Sequence, residues 1–216
     1  MKRADLMALA FIAIIAIIAI AACGTQPPYE PGEHESLFPL TAGDSWTFVV
    51  RETDGDVKQK IQSVEEDKGD GSFILRTETD GDAFTVSVQA VIDGQLVRVS
   101  EESGKGGVVT DRIRFDPPDV RVDLKASRLG AGYDSNYVEH HLDASGNVIS
   151  SKEKRHHFVV EAVDQAIDVP AGQFRALRVR RDQEGGSSKT YWFVRGVGKI
   201  REVGGQVEEL SAWELK

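Results

Sequence analysis

Asp80-Gly-Asp-Ala-Phe84-Thr-Val86-Ser-Val88-Gln-Ala90-Val-Ile-Asp93-Gly94 is the stretch on which the fold turns. Phe84, Val86, Val88 and Ala90 alternate with Thr85, Ser87 and Gln89. Successive side chains of a strand point to opposite faces, so this period of two predicts a strand whose apolar face is buried. Asp-Gly pairs bound it on both sides, the residue chemistry that tight hairpin turns require.

The same period recurs outward from it. Trp46, Phe48 and Val50 alternate with Thr47, Val49 and Arg51. Val120, Val122 and Leu124 alternate with Arg121 and Asp123, and Leu177 and Val179 with Arg178 and Arg180. Asp54-Gly55, Asp70-Gly71, Ser145-Gly146-Asn147, Gly185-Gly186 and Gly204-Gly205 separate such runs. The pattern predicts a mainly β domain: an antiparallel curved sheet or incomplete β-barrel with little helix. Asp116-Pro117-Pro118-Asp119 interrupts it, and because proline cannot donate to a ladder this segment reads as a loop. It is also the candidate seam between two halves of the domain.

The N-terminus has a different character. Lys2 and Arg3 precede an apolar stretch, residues 6–22, that ends in Ile20-Ala-Ala-Cys23-Gly24. A positive start, an apolar centre and small residues before a cleavage point make a secretory signal. A cysteine directly after that point resembles the lipobox of bacterial lipoproteins, which places a lipid anchor on Cys23. Cys23 is the single cysteine of the chain. An exported copy has no internal disulfide partner, and lipidation removes the free thiol. The organisation is therefore a signal peptide over 1–22, a lipidated cysteine and disordered tether over 23–36, and one β domain over 37–216. The tether, Gly24-Thr-Gln-Pro-Pro-Tyr-Glu-Pro-Gly-Glu-His-Glu-Ser36, is rich in proline and glycine and nearly free of apolar residues.

Removing residues 1–22 takes away two positive charges and one negative, so the formal charge moves from −9 to −10. An acidic domain is repelled by phosphate backbones, which argues against nucleic acid as a partner. The partners expected are the membrane, through the N-terminal lipid, and a protein or lipid-like molecule. Gly24 is not the aspartate that retains Gram-negative lipoproteins at the inner membrane, which favours the outer membrane, facing the periplasm.

Three segments carry a family resemblance. Leu37-Phe-Pro-Leu-Thr-Ala-Gly-Asp-Ser-Trp-Thr-Phe48, Val169-Pro-Ala-Gly-Gln-Phe174 and Tyr191-Trp-Phe-Val-Arg-Gly-Val-Gly-Lys-Ile200 resemble, in order, segments of uncharacterised bacterial envelope lipoproteins. The resemblance implies a curved antiparallel sheet or half-barrel and brings no catalytic residue with it.

Trp46, Tyr191, Trp192 and Trp213 are the candidate aromatics, lining a ligand or packing the core. His140-His141 and His156-His157 flank the hairpin at Ser145. Symmetric pairing about Ser145 sets His141 opposite Ile149 and His156 near Asp134, so the pairs are staggered and read as surface histidines. No metal and no cofactor is assigned. Arg175, Arg178, Arg180, Arg181, Lys199 and Arg201 concentrate positive charge on the last strands, and Arg178 and Arg180 share a face, suited to binding an anion or to cross-strand pairing with Glu202, Glu208 and Glu209, the favoured reading. Ser151-Lys-Glu-Lys154 matches a bare S-x-x-K string but lies in a charged hairpin arm without its partner motifs. No catalytic residue is assigned and the chain is not read as an enzyme. The leading reading is a non-enzymatic envelope lipoprotein that binds or scaffolds. A carrier or sensor of a lipid-like apolar ligand stands second, and a hydrolase third.

Replacing the anchor residue tests the first of these readings. Cys23→Ser should abolish both acylation and processing before residue 23, measured by palmitate labelling and intact-mass spectrometry.

Overall fold

The computed structural model describes residues 36–80 and 82–216. Cys23, the signal peptide and the tether up to residue 35 lie outside them. Twelve strands follow one another: β1 (Ser45–Glu52), β2 (Val57–Asp67), β3 (Ser72–Thr79), β4 (Ala83–Ile92), β5 (Gln95–Lys105), β6 (Val108–Asp123), β7 (Gly132–Leu142), β8 (Val148–Val169), β9 (Gly172–Gln183), β10 (Lys189–Val194), β11 (Gly198–Val203) and β12 (Gln206–Glu214). Each pairs antiparallel with its neighbour in sequence, and β1 also pairs with β12, which closes the barrel. Trp46 stands opposite Trp213 and Val50 opposite Glu208 across that seam. The antiparallel curved sheet is thus as the sequence predicts, and pairing of β1 on both edges carries it from an open to a closed barrel.

An up-and-down barrel has two ends, and here they differ. The chain enters at the end that also holds the β2–β3, β4–β5 and β10–β11 turns. Leu37 and Phe38 are buried there, with Phe38 5.3 Å from the Trp46 ring. Gly196 N–H donates to Ser36 C=O at 2.8 Å, and Lys216 N–H donates to the buried Asp44 carboxylate at 2.9 Å. Trp46 Nε1–H donates to Val197 C=O at 2.5 Å. Gly198 takes φ +101 directly beneath, where a Cβ would touch both Phe38 and Trp46 at 3.5 Å or little more. Together with Leu75, Leu96, Phe158, Phe174, Val179, Phe193, Ile200 and Leu210, these residues make an apolar plug. The opposite end, bearing the β1–β2, β3–β4, β5–β6, β7–β8, β9–β10 and β11–β12 turns, is the mouth.

Two local readings are corrected. β6 runs through Pro117 and Pro118 instead of stopping at them. Arg98 pairs with Asp119 and Ser100 with Arg114, so Phe115 to Pro118 bulge opposite Val99. The ladder to β7 ends at Asp116 opposite Val138. Prolines are tolerated at a bulge, where no ladder donor is needed. The second correction concerns β4. Its polar side faces the interior: Ser87 and Gln89 are buried, whereas Phe84, Val86 and Val88 are half-buried on the outside. Outside, the Arg76 guanidinium lies 5.1 Å from the Phe84 ring. The strand is right and its phase is inverted, because the interior it faces is polar.

Trp46 is 1% exposed and holds the plug against the β10–β11 turn. Trp46→Ala should therefore destabilise the fold by about 3–5 kcal/mol through lost burial and the cavity left behind. A lower denaturant midpoint at unchanged slope is the expected result.

Candidate functional site: the barrel lumen

The inward face of β4 belongs to a charged lumen in the mouth half of the barrel. Lys60 and Gln62 on β2, Thr77 on β3, and Thr85, Ser87 and Gln89 on β4 line one side of a cavity of about 240 Å³. Arg98 and Glu101 on β5, Arg121 on β6, Lys189 on β10, Lys199 and Glu202 on β11 and Glu208 on β12 complete it. A smaller space of about 80 Å³ adjoins it toward the plug and shares Gln62, Gln89, Arg121, Lys199 and Glu202. Arg121 is the extra residue of a bulge, between Val122 opposite Leu96 and Val120 opposite Val97. That bulge lets Arg121 and Val122 line the same space.

Most of these charges are paired. Lys199 Nζ lies 2.7 Å from both Glu202 and Glu208. Lys189 Nζ reaches Glu202 at 2.5 Å, and Lys60 bonds Glu208. Burial alone would push all of these groups toward their neutral forms. For Lys199 the two carboxylates outweigh burial and raise it above the ordinary lysine range. For Glu202 and Glu208 burial is likewise outweighed, chiefly by Lys199, and both are held well below the carboxylate range. Lys60 goes the other way: burial, then the charge of Lys199, lower it to about 8 against the pull of Glu208. On the other wall Asp119, 1% exposed, accepts from Arg98 and Arg121 at 3.1 Å and from Ser135 Oγ at 3.0 Å. Burial raises its carboxyl, but Arg121 and Arg98 lower it further.

Two inward groups lack an ion-pair partner among the described residues. Arg181 on β9 is 9% exposed, and its Nε–H has no acceptor. Among the described residues no carboxylate lies within ion-pair distance of it, and its guanidinium sits 5.9 Å from the Tyr191 ring. His156 on β8 is 5% exposed and has no charged partner; its polar neighbour is Gln183, opposite it on β9. Tyr137 and Phe158 flank it edge-on, at 5.5 and 6.3 Å. Burial, and then the charge of Arg181, push its imidazole down to about 4.

The surface reading of the histidines is corrected at His156. Along most of the β7–β8 hairpin His141 stands opposite Ser150 and His156 opposite Ser135, one residue away from symmetry about Ser145. The slip arises at the turn, where Leu142 pairs with Val148 and a bulge follows at His141. Asp143 sets that turn by accepting from Ser145 N–H at 2.8 Å and Asn147 N–H at 2.9 Å. A one-residue slip exchanges the faces of a strand. His156 therefore points inward, while His157 meets Asp134 at 2.6 Å outside. His140 bonds Ser151 at 2.8 Å, and His141 bonds Asp111 at 3.0 Å.

The other candidates are dispersed. Tyr191 and Phe193 face inward, whereas Trp192 is on the outside under Arg201, 5.3 Å from ring to guanidinium. Trp213 packs edge-on against Phe174 at 5.6 Å, and Trp46 is in the plug. The four aromatics do not converge on one ligand. Arg178 and Arg180 pair with Glu161, at 3.2 and 2.8 Å, and not with Glu202 or Glu208, which the barrel turns inward toward lysines. Glu209 pairs instead with Arg51 and Arg201.

Lys199 and Arg181 belong to the cationic group that the sequence places on the last strands, whereas nothing in the sequence assigns Lys60, Gln89, Arg98 or Arg121 to a site. The available signal was Arg181, which continues the inward phase of Leu177 and Val179. The interior also brings a serine, a histidine and an aspartate together. Their order is wrong for nucleophilic catalysis, in which histidine must accept the serine proton. Ser135 instead donates to Asp119 and accepts Val120 N–H at 2.8 Å.

No protein-family model matches the chain, and no curated protein resembles it. Among solved structures, a protein of Bacteroides fragilis, provisionally described as exported and as having a YmcC-like fold, is similar with a TM-score of 0.52 at 12% identity. The match covers 84% of this chain and 100% of that one. A provisionally described lipoprotein of Parabacteroides distasonis reaches a TM-score of 0.35 at 12% identity, over 83% and 99% of the two chains. At such identities the first likeness shows the fold alone, and the second is too weak to compare folds.

His156 links the lumen to pH. Its imidazole is near 4 in the barrel and near 6.5 when unfolded, so the unfolded chain binds the proton more readily. Its contribution is intact above about pH 6.5 and is lost as the pH falls toward 4, by up to about 3 kcal/mol at 1.36 kcal/mol per unit. His156→Phe should remove that part of the acid destabilisation. Unfolding free energies of the two chains from pH 7 to pH 4 should diverge on acidification.

Proposed function

We propose that this chain is an envelope lipoprotein, anchored by lipid on Cys23, whose barrel is a non-enzymatic binding module for a small polar solute. The observation that carries this reading is the lumen itself. Side chains just fill a barrel of about eight strands, and a wider one leaves interior space. Here apolar side chains fill only the plug, and the remaining space is walled by ionised and amide groups. Buried ion pairs are poor stabilisers compared with apolar packing of the same volume, so a lumen built from them is better suited to recognition than to holding the fold.

The same polarity disfavours the carrier of an apolar ligand, which needs an apolar cavity. The catalytically disordered Ser135–Asp119–His156 grouping gives a hydrolase no support. Export is supported by the lipobox resemblance and by the description of the B. fragilis protein as exported. Ser36 lies at the plugged end. A chain tethered from that end presents its mouth away from the anchoring membrane, toward solutes of the aqueous compartment. Gly24 favours the outer membrane in a Gram-negative cell.

Two measurements on the lipidated chain in detergent test the reading. Extraction should recover acyl chains from Cys23 and no stoichiometric fatty acid or phospholipid from the barrel. In a thermal-shift panel, polar solutes and not fatty acids should raise Tm, since a ligand at 100 times its Kd stabilises by about 2.7 kcal/mol. A lipid held one per barrel would overturn the proposal.

A further inference from the structure

The 80 Å³ space between plug and lumen has an apolar side, with Phe38 and Phe193 among it, and a polar side rich in donors. Arg121, Arg181, Lys199, Gln62 and Gln89 line it, and Tyr191 adds a hydroxyl. The one carboxylate on its wall, Glu202, already has both oxygens engaged by Lys189 and Lys199. Asp119 is likewise taken up by Arg98, Arg121 and Ser135. Arg181 has no carboxylate left to pair with. Counting both adjoining spaces and Asp119, Lys60, Arg98, Arg121, Arg181, Lys189 and Lys199 face Glu101, Asp119, Glu202 and Glu208, an excess of two positive charges inside a chain of formal charge −9. A largely buried arginine with no carboxylate partner and a buried Nε–H without an acceptor is costly. Its planar fork of donors is the group best matched to tetrahedral oxyanions.

Building on the reading of the lumen as a polar binding site, we propose that this space binds a phosphate or sulfate group, with Arg181 as its anchoring residue and Arg121, Lys199 and the two glutamines as further donors. A volume of about 80 Å³ exceeds the roughly 30 Å³ that one water occupies in the liquid, and it suits one tetrahedral oxyanion. The adjoining 240 Å³ lies toward the mouth and is below the roughly 300–1,000 Å³ of sites for drug-sized ligands. It accommodates the remainder of a small phosphorylated or sulfated molecule. A dianion in this seat offsets the two excess charges and gives Arg181 its missing partner.

Titration calorimetry on the lipidated chain in a non-ionic detergent, with inorganic phosphate, sulfate and glycerol 3-phosphate as probes and glycerol as the neutral control, tests this. Saturable binding, one oxyanion per chain and weakening with salt, is expected. Arg181→Met should lower the affinity at least about tenfold, the equivalent of 1.4 kcal/mol. Its melting temperature without ligand should hold or rise, because an unpaired buried charge has been removed. Arg178→Met, on the outer face, should bind as the native chain does. Should Arg181→Met fail to fold, Arg181→Lys keeps the charge, lacks the fork and should also bind more weakly. Tighter binding of glycerol 3-phosphate than of phosphate would identify an organic phosphate as the ligand class, and equal binding the free ion. Absence of saturable oxyanion binding, or binding undiminished in the folded Arg181 variants, overturns the proposal. If glycerol or another neutral solute then binds, only the oxyanion assignment falls. If fatty acid alone binds, the polar reading falls with it.

Discussion

Closure of the sheet by β1 against β12 is the constraint on which the rest of the molecule depends. Once the two edges meet, the inward side chains of all twelve strands share one interior. Closure also removes the exposed edges through which sheets aggregate. The cost is a diameter greater than side chains alone can fill. The protein meets that excess in two ways. At one end Leu37 and Phe38 fold inward and complete an apolar plug on Trp46. At the other, long charged side chains span the gap and leave a cavity.

The electrostatics of the lumen follow from that division. Lys199 between Glu202 and Glu208 is enclosed enough for burial to matter and paired closely enough for attraction to prevail. The network is asymmetric. Glu202, Glu208 and Asp119 serve two or three donors each, and Arg181 is left over. The fold can retain such a residue because the plug supplies apolar burial independently of it. A strained or unpaired group supported by its surroundings is where a binding site is most naturally sought.

The strands themselves were legible. Alternation in Trp46-Thr-Phe-Val-Val50 and Leu177-Arg-Val179 gave both the strand and the correct inward face, since there the interior is apolar. In Phe84-Thr-Val-Ser-Val-Gln-Ala90 the same alternation gave the strand and the wrong face. The lumen was not legible, because its residues come from strands separated by more than a hundred positions, Lys60 to Glu208 among them. Nor was the inward turn of His156, which a single bulge beside Asp143 decides.

Local chemistry thus determined what this sequence could declare alone. Period-two hydropathy, positive-φ turns and a lone cysteine after small residues each act within a few bonds, so they specify strands, hairpins and an expected lipid anchor. Which side of a strand is inside, and what that inside is made of, is a property of the closed barrel. Alternation has a period but no sign. The sign is set by the width of the interior and by bulges that shift register by one residue, and both exist only when distant strands have met.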